Sequence, residues 1–384
     1  MDLLIELLII LASLIVALFF PTFIYYVLMK RKAGMAWGLA VDTNYQPKIS
    51  LIVSTYNEAP VICKKLEDIQ RTDYPEDKLQ VIVVDSASTD GTLDLCKDWL
   101  SKNSSRFQIE LVSEKERLGK SHALNTALGY ANGEIIATSD ADSFWEPGAM
   151  CKAVSFLADS SVGAVTGREE LVNLEKTVHT QSEGTYRGFY YVLRLGESKT
   201  GSTFIFQGEL SLYRRSVLEK FEDRAGYSDD IGTVVGIISK GYRCIYVPDA
   251  VFHDTAAFSL RGRLMLKSRR AQHLISGIVR SLRLKMEGKL PLSSAVVLFN
   301  FYMHVISPIL LIFVVGVFAA TMVLFFLNLW FLLLLGIPLF GLNKGRVFFF
   351  SYLTSNLALI IGLARQFAGR RETSWRKIEE MRKE

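Results

Sequence analysis

The chain has 384 residues, half of them hydrophobic, and a formal net charge of +5. That length holds one large domain or two modest ones. The charge is too small and too spread out to single out nucleic acid, and it suits anionic headgroups or an anionic substrate instead. Cys63, Cys96, Cys151 and Cys244 show no paired metal spacing and read as core thiols. The histidines form no i, i+4 pair, which argues against zinc.

Leu7 to Met29 carries no charge, and Lys30-Arg31-Lys32 follows at once. Such a run is long enough to cross ~30 Å of hydrocarbon. A cleaved signal peptide is basic before its apolar run; here the basic triplet trails it, which puts residue 30 onward in the cytosol. We therefore expect a transmembrane helix over 1–30, a cytosolic domain over 45–285, transmembrane or interfacial helices over 290–366 and a basic cytosolic tail over 367–384.

Gly34 to Pro47 is a linker. Lys48 to Glu58 reads as a buried strand with a polar carboxyl end, and a helical pattern follows to about Gln70. Leu79 to Asp85 is a second strand, and Ser86 to Gly91 is a turn that opens a helix through Leu100. A third strand covers Phe107 to Val112, a helix Gly119 to Tyr130, and a fourth strand Glu134 to Thr138. Strands alternating with helices of this length predict an α/β fold with helices on both faces of a parallel sheet.

Three strand ends carry polar residues at one sheet edge: Asn57 and Glu58, Asp85, and Asp140 with Asp142. Ligands of open α/β sheets sit at that edge. Alternate strand residues share a face, so Asp140 and Asp142 are expected to point together and offer hard oxygen ligands to Mg²⁺ or Mn²⁺. A solvated turn also supplies Asp-x-Asp.

Taken in order, Ser54-Thr55-Tyr56-Asn57-Glu58, Val84-Asp85-Ser86-Ala87-Ser88-Thr89-Asp90-Gly91, Gly119-Lys120-Ser121-His122-Ala123-Leu124-Asn125 and Ser139-Asp140-Ala141-Asp142 resemble the four successive motifs of the family 2 glycosyltransferases. The resemblance implies a GT-A, Rossmann-like fold with a mixed, mostly parallel sheet, a nucleotide-sugar donor, and Mn²⁺ or Mg²⁺ as cofactor. It assigns Asp85 to the base and ribose, Asp140 to the sugar and ribose, Asp142 with Asp140 to the metal, and Lys120 to the nucleotide or diphosphate. A cation near a helix start also reinforces the positive dipole end that faces phosphate, whereas a surface helix lysine needs no such role. Tyr56 and Glu58 fall on the donor side, where Tyr56 either meets the base or simply packs.

Glu175 to Arg194 predicts a helix near the acceptor or the membrane surface, or on the sheet's flank. Phe204 to Arg215 reads as an apolar-to-polar strand. The resemblance puts Gly208 where backbone approaches donor sugar or acceptor, a place suited to a residue without Cβ, and Glu209 at a sugar hydroxyl. Gly226-Tyr227-Ser228-Asp229-Asp230 leads a helix over Ile231 to Lys240. Asp230 matches the family's general base, which must face the anomeric carbon opposite the leaving diphosphate. Asp229, where Glu is more common, faces the acceptor. Ser228 or Asp229 can cap the helix.

Cellulose-synthase-like members carry Gln-x-x-Arg-Trp, with the Trp stacked on the acceptor sugar. Here Arg270 keeps the Arg, but Ala271 stands in place of the Trp, which speaks against a processive synthase. Arg270 is assigned to donor diphosphate or a lipid phosphate and Arg269 to the acceptor; a juxtamembrane basic patch on anionic lipid is the alternative.

Leu290 to Phe340 is almost uncharged and long enough for two spans, and Val347 to Leu363 is a further apolar run. The basic tail that follows belongs in the cytosol. Three spans in all are favoured, with one run tilted, re-entrant or interfacial, and four are the alternative. Thr373-Ser374-Trp375 also resembles the cytosolic end of cellulose-synthase-like enzymes. The whole plan resembles the small archaeal membrane mannosyltransferases. That implies an inverting transfer from GDP-mannose, with Mn²⁺, to a dolichyl-phosphate-type lipid in N-glycan assembly. No residue separates GDP from UDP. A processive UDP-sugar synthase of the cellulose or hyaluronan type and an inactive membrane scaffold stay open.

Overall fold

The computed structural model describes residues 2–174, 177–224, 229–257, 259–325 and 343–368. Apolar runs bounded by polar residues form β1 (Ile49–Thr55), β2 (Leu79–Asp85), β3 (Gln108–Ser113) and β4 (Ile135–Asp140). They are followed by β5 (Phe144–Trp145), β6 (Val162–Leu171), β7 (Ser211–Arg214) and β8 (Arg243–Asp254). Among the described residues these make one eight-stranded sheet in the order β3-β2-β1-β4-β7-β6-β8-β5. The first four strands are mutually parallel. β7 runs antiparallel to β4 and β6, β8 runs parallel to β6, and β5 runs antiparallel to β8. This is the expected mixed, mostly parallel sheet.

β2 is buried along its whole length, as a parallel strand covered on both faces should be. Its side chains divide between two cores by alternation. Leu51, Val53, Val81 and Val83 pack with α2 (Ile62–Gln70), α3 (Thr92–Lys102) and α5 (Ala149–Val154). Ile52, Ile82, Val84 and Ile136 pack on the other face with α4 (Lys120–Leu128) and α7 (Asp229–Ser239).

The strand expected over Phe204 to Arg215 is shorter. A backbone bond from Leu210 N to Gln207 O, at 3.2 Å, makes a turn before β7. Thr166 Oγ1 and Ser211 Oγ donate to Gln207 O at 3.2 and 2.8 Å, so side chains take the place of ladder bonds there. β8 passes through Pro248, and its register with β6 shifts between Thr166 and Arg168. Proline removes a ladder donor, which hides a strand from a pattern search.

α1 (Asp2–Ala33), α9 (Ser294–Phe301) continued through one π-helical turn (Tyr302–Ile306) into α10 (Ser307–Phe325), and α11 (Asn343–Phe367) contain the apolar stretches. Among the described residues, three helices, Ile5–Ala33, Ser294–Met322 and Val347–Phe367, are long and apolar enough to cross a membrane. The second span expected toward Phe340, the Glu175 end of the helix at Arg194, Ser228 as a cap, and the tail with Thr373-Ser374-Trp375 lie outside the described residues.

Two long helices join the sheet to this apolar layer: α6 (Val178–Thr200) and α8 (Leu260–Met286). Thr177 caps α6 in a reciprocal box with Thr180. Tyr26 of α1 stacks on Phe189 of α6 at 5.4 Å, and Tyr25 stacks on Phe299 of α9 at 3.7 Å. α8 lies against α11 so closely that a Cβ on Gly362 would stand 2.9 Å from Ala271 Cβ.

Candidate active site

The carboxyl ends of β1 and β2 interlock. Asp85, only 3% exposed, accepts from Ser88 N at 3.0 Å, Ser88 Oγ at 2.5 Å and Thr55 Oγ1 at 3.2 Å. Asn57 N donates to Ser88 Oγ at 2.8 Å, Thr89 N donates to Asn57 Oδ1 at 2.8 Å, and Glu58 N donates to Thr92 Oγ1 at 2.7 Å. Asn57 and Ala87 hold φ of +52° and +56°. Left-handed backbone at non-glycine residues costs ~1–3 kcal/mol each and clusters at functional sites. The Tyr56 ring lies 3.7 Å from the Arg117 guanidinium, a flat cationic platform beside these loops.

β4 ends at Asp140, and Asp142 lies in the turn beyond it. Strand alternation therefore does not relate the two carboxylates, although both act on Lys65. Asp140 Oδ1 is 2.5 Å from Lys120 Nζ, at the start of α4. Lys120 Nζ is also 3.7 Å from Asp229 Oδ2, so one ammonium ties β4 to the first turn of α7. Burial would lower the Lys120 ammonium, but Asp140, Asp229 and Glu209 raise it well above the usual lysine range. Burial works in the opposite sense on Asp140, whose carboxyl Lys120 nonetheless holds below its ordinary value. Burial pushes Asp229 up; Lys120 opposes that shift, while Asp230 and Asp140 add to it. Asp230 Oδ1 accepts from Ile231 N at 2.6 Å. A Cβ on Gly208 would stand 3.1 Å from Lys120 Nζ and 3.7 Å from Asp229 Oδ2, the close approach that glycine permits.

Beneath the turn lies Lys65, which sequence reasoning did not single out. It is 1% exposed, pairs with Asp68 at 3.2 Å and donates to Ser143 O at 2.7 Å. Asp68 accepts from Trp145 N at 3.1 Å, and Trp145 Nε1 donates to Glu209 O at 2.9 Å. This chain of bonds fixes the turn that bears Asp142 to the loop that bears Gly208 and Glu209. Its signal was a lysine inside the buried stripe of α2, with Ile62, Leu66 and Ile69.

Asp254 lies at the end of β8. Burial, Asp142 and Glu209 push its carboxyl up to about 7. Carboxylates crowding one another in this way suit a cation. Among the described residues, no three acidic, His or Cys side chains gather closely enough to hold a metal by themselves. A cation held here by one or two carboxylates would need phosphate and water to complete its shell. That donor set fits Mg²⁺-like ions, which keep waters and bind through few carboxylates plus substrate phosphates.

A cavity of about 320 Å³ runs from Lys120, Asp140, Gly208, Asp229 and Asp230 to Phe19 and Thr22 of α1, Met303, and Phe348 and Tyr352 of α11. Glu209, Arg269 and Arg270 also line it. Arg270 Nη2 lies 3.2 Å from Glu209 Oε1. Tyr56, Glu58, Asp85 and Asp142 are not among its lining residues.

Residues 50–221 match the model of glycosyl transferase family 2. The chain is 35% identical to the solved mannosyltransferase PcManGT from Pyrobaculum calidifontis in complex with GDP-Man and Mn²⁺, with a TM-score of 0.82 over 95% of this chain and 99% of that one. The chain belongs to glycosyltransferase family 2. Its sheet and flanking helices are those of a GT-A fold. This family 2 chain is also 29% identical to the probable glycosyltransferase YdaM of Bacillus subtilis, over 53% of this chain and 50% of that protein. It is 27% identical to an N-acetylglucosaminyltransferase of Rhizobium meliloti, over 60% and 57%. It thus spans about half the length of the curated relatives it matches.

Proposed function

We propose that this family 2 glycosyltransferase transfers a hexose, mannose from GDP-mannose, with inversion onto a lipid-linked acceptor of dolichyl-phosphate type. In this reading residues 45–285 form the catalytic unit at the cytosolic membrane face, and the product enters N-glycan or glycolipid assembly. The observation that carries it is the continuous cavity between Asp229 and Asp230 at one end and Phe19, Met303 and Phe348 at the other. An acceptor that occupies it has a reactive group beside the carboxylates and an apolar body among helices long enough to span a bilayer. The donor assignment is supported by the likeness to a mannosyltransferase solved with GDP-Man and Mn²⁺.

Tyr56 and Arg117 flank the base, Asp85 organises the loop that meets base and ribose, and Lys120 faces the diphosphate. Asp142, with Asp254 or Asp140, would hold Mn²⁺ or Mg²⁺, which would supply positive charge against the departing diphosphate. Asp230 removes the proton of an attacking hydroxyl from the opposite side of the sugar. Gly208 gives sugar or acceptor room against the backbone, and Glu209, Asp229 and Arg269 orient the acceptor. The processive alternative is disfavoured because Ala271, packed against α11 at Gly362, stands in the place of the sugar-stacking Trp.

A thermal-shift screen of GDP- and UDP-sugars with Mn²⁺ or Mg²⁺ tests the donor, because a ligand bound only by the native state raises the melting point. GDP-mannose with Mn²⁺ is expected to stabilise most; stabilisation by UDP-sugars alone would overturn the donor assignment. Asp142→Ala should keep the fold and lose metal-dependent transfer, and retained turnover would remove the metal role.

A further inference from the structure

The middle of the cavity holds more cations than carboxylates. Arg187 and Arg194 of α6 line it together with Lys267, Arg269 and Arg270 of α8. Against these five stand four carboxylates: Glu183 and Glu209 in the lining, Glu169, which pairs with Arg187, and Asp254, whose charge acts on Arg187 and Arg270. Lys267 Nζ lies 3.1 Å from Glu183 Oε2 and 3.5 Å from the Tyr186 ring centroid, and it donates to Ser355 Oγ of α11 at 3.0 Å. Glu183 also serves Arg187, 3.5 Å away, and Arg263, 3.2 Å away. Arg194 Nε is buried with no hydrogen-bond partner among the described residues. Its guanidinium lies 6.0 Å from the Tyr190 ring and 5.7 Å from the Tyr246 ring.

Surplus positive charge in an enclosed space is costly until an anion joins it. Burial is felt by the groups themselves, although nearby carboxylates raise Arg270. Burial, and then Arg270, pulls Arg187 down to about 9. Burial pulls Lys267 down to about 8 even with Glu183 beside it. The same cavity is also lined by the apolar side chains of Phe19, Phe189, Met303, Phe348 and Leu359. Free phosphate would leave that wall bare, and an uncharged lipid would leave the cations bare. A phosphorylated lipid meets both, with charge-assisted bonds at its head and apolar contact along its chain.

We propose that Arg187, Arg194 and Lys267 form a phosphate subsite that grips the anionic linkage of the acceptor, with the lipid chain running along Phe19, Met303 and Phe348. This deepens the lipid-acceptor reading above and rests on it. It adds that the enzyme recognises its acceptor by the phosphate or diphosphate between lipid and glycan, at a place separate from the donor's diphosphate.

The test uses the full chain in detergent and reads melting point against ligand concentration. The probes are geranyl phosphate, geranyl diphosphate, geraniol and inorganic phosphate. The phosphorylated isoprenoids are expected to stabilise the chain, whereas geraniol and inorganic phosphate at equal concentration do not. Arg194→Gln and Lys267→Met should each weaken the isoprenyl phosphates by about tenfold or more, with the response to GDP-mannose retained as evidence of an intact fold. If geraniol or inorganic phosphate matches the isoprenyl phosphates, or if both variants bind them as the wild type does, the subsite is overturned. Should a variant fail to fold, the probe comparison on the wild-type chain still decides. If these binding differences hold but no sugar reaches any lipid acceptor, the functional reading falls and the subsite stands.

Discussion

Glu197 sits where the first apolar helix meets the catalytic domain, and it makes a quantitative prediction. It is 4% exposed; Oε1 accepts from Tyr25 Oη at 2.9 Å and Asn300 Nδ2 at 3.4 Å, and Oε2 accepts from Thr203 Oγ1 at 2.7 Å. Burial pushes its carboxyl from 4.5 up to about 7, although those hydrogen bonds pull the other way. The folded chain therefore binds this proton more tightly than the unfolded chain. The stability so gained is fully present below the unfolded value of 4.5 and is lost as pH rises through about 7. Each pH unit in that window is worth about 1.4 kcal/mol, so the whole effect is roughly 3 kcal/mol. At about 2 °C per kcal/mol for a chain of this size, the melting point should move by roughly 6 °C.

Glu197→Gln removes the ionisation while the Tyr25 and Thr203 hydroxyls can turn to meet the amide. Melting the full chain in detergent from about pH 5 to about pH 8 should show the wild type losing several degrees relative to the variant. Other groups titrate in both proteins, so the difference between the two curves is the readout. Parallel curves across that range would refute the reasoning.

Gly208→Ala should set a methyl 3.1 Å from Lys120 Nζ and push it off Asp140. A displacement of that kind costs about a hundredfold in transfer rate, and steady-state assays should register it with little change in melting point. Lys65→Met would leave Asp68 buried without its ion pair, and thermal melts should record a loss of about 3–5 kcal/mol. Ala271→Trp would drive a ring into α11 at Gly362. It should destabilise by about 1–3 kcal/mol or more, and product sizing should show no longer glycans.

The strands that carry the motifs were legible because they are buried on both faces. β2 and β4 are short apolar runs that end in carboxylates, and β1 ends two residues before Asn57 and Glu58, so no competing pattern covers them. α8 was hidden by its own chemistry. Arg263, Lys267 and Arg270 look like a solvated or headgroup-facing patch in the sequence, yet Arg263 is 2% exposed and bonded to Glu183 and Ser182 of α6. Pairing between distant helices leaves no local period to read. Asp140 and Asp142 were legible as a pair, but β4 ends at Asp140, so strand alternation does not reach Asp142. Lys65, Arg117, Arg187 and Asp254 acquire meaning only from neighbours brought by other elements.

The chamber that joins Asp230 to Phe19 and Phe348 has a kinetic consequence. On the proposed reading the enzyme draws its two substrates from different phases, a soluble donor counted by molarity and a lipid counted by its mole fraction in a two-dimensional film. Apparent acceptor saturation should then follow surface dilution: adding inert detergent or carrier lipid slows turnover at constant bulk acceptor, while donor saturation is untouched.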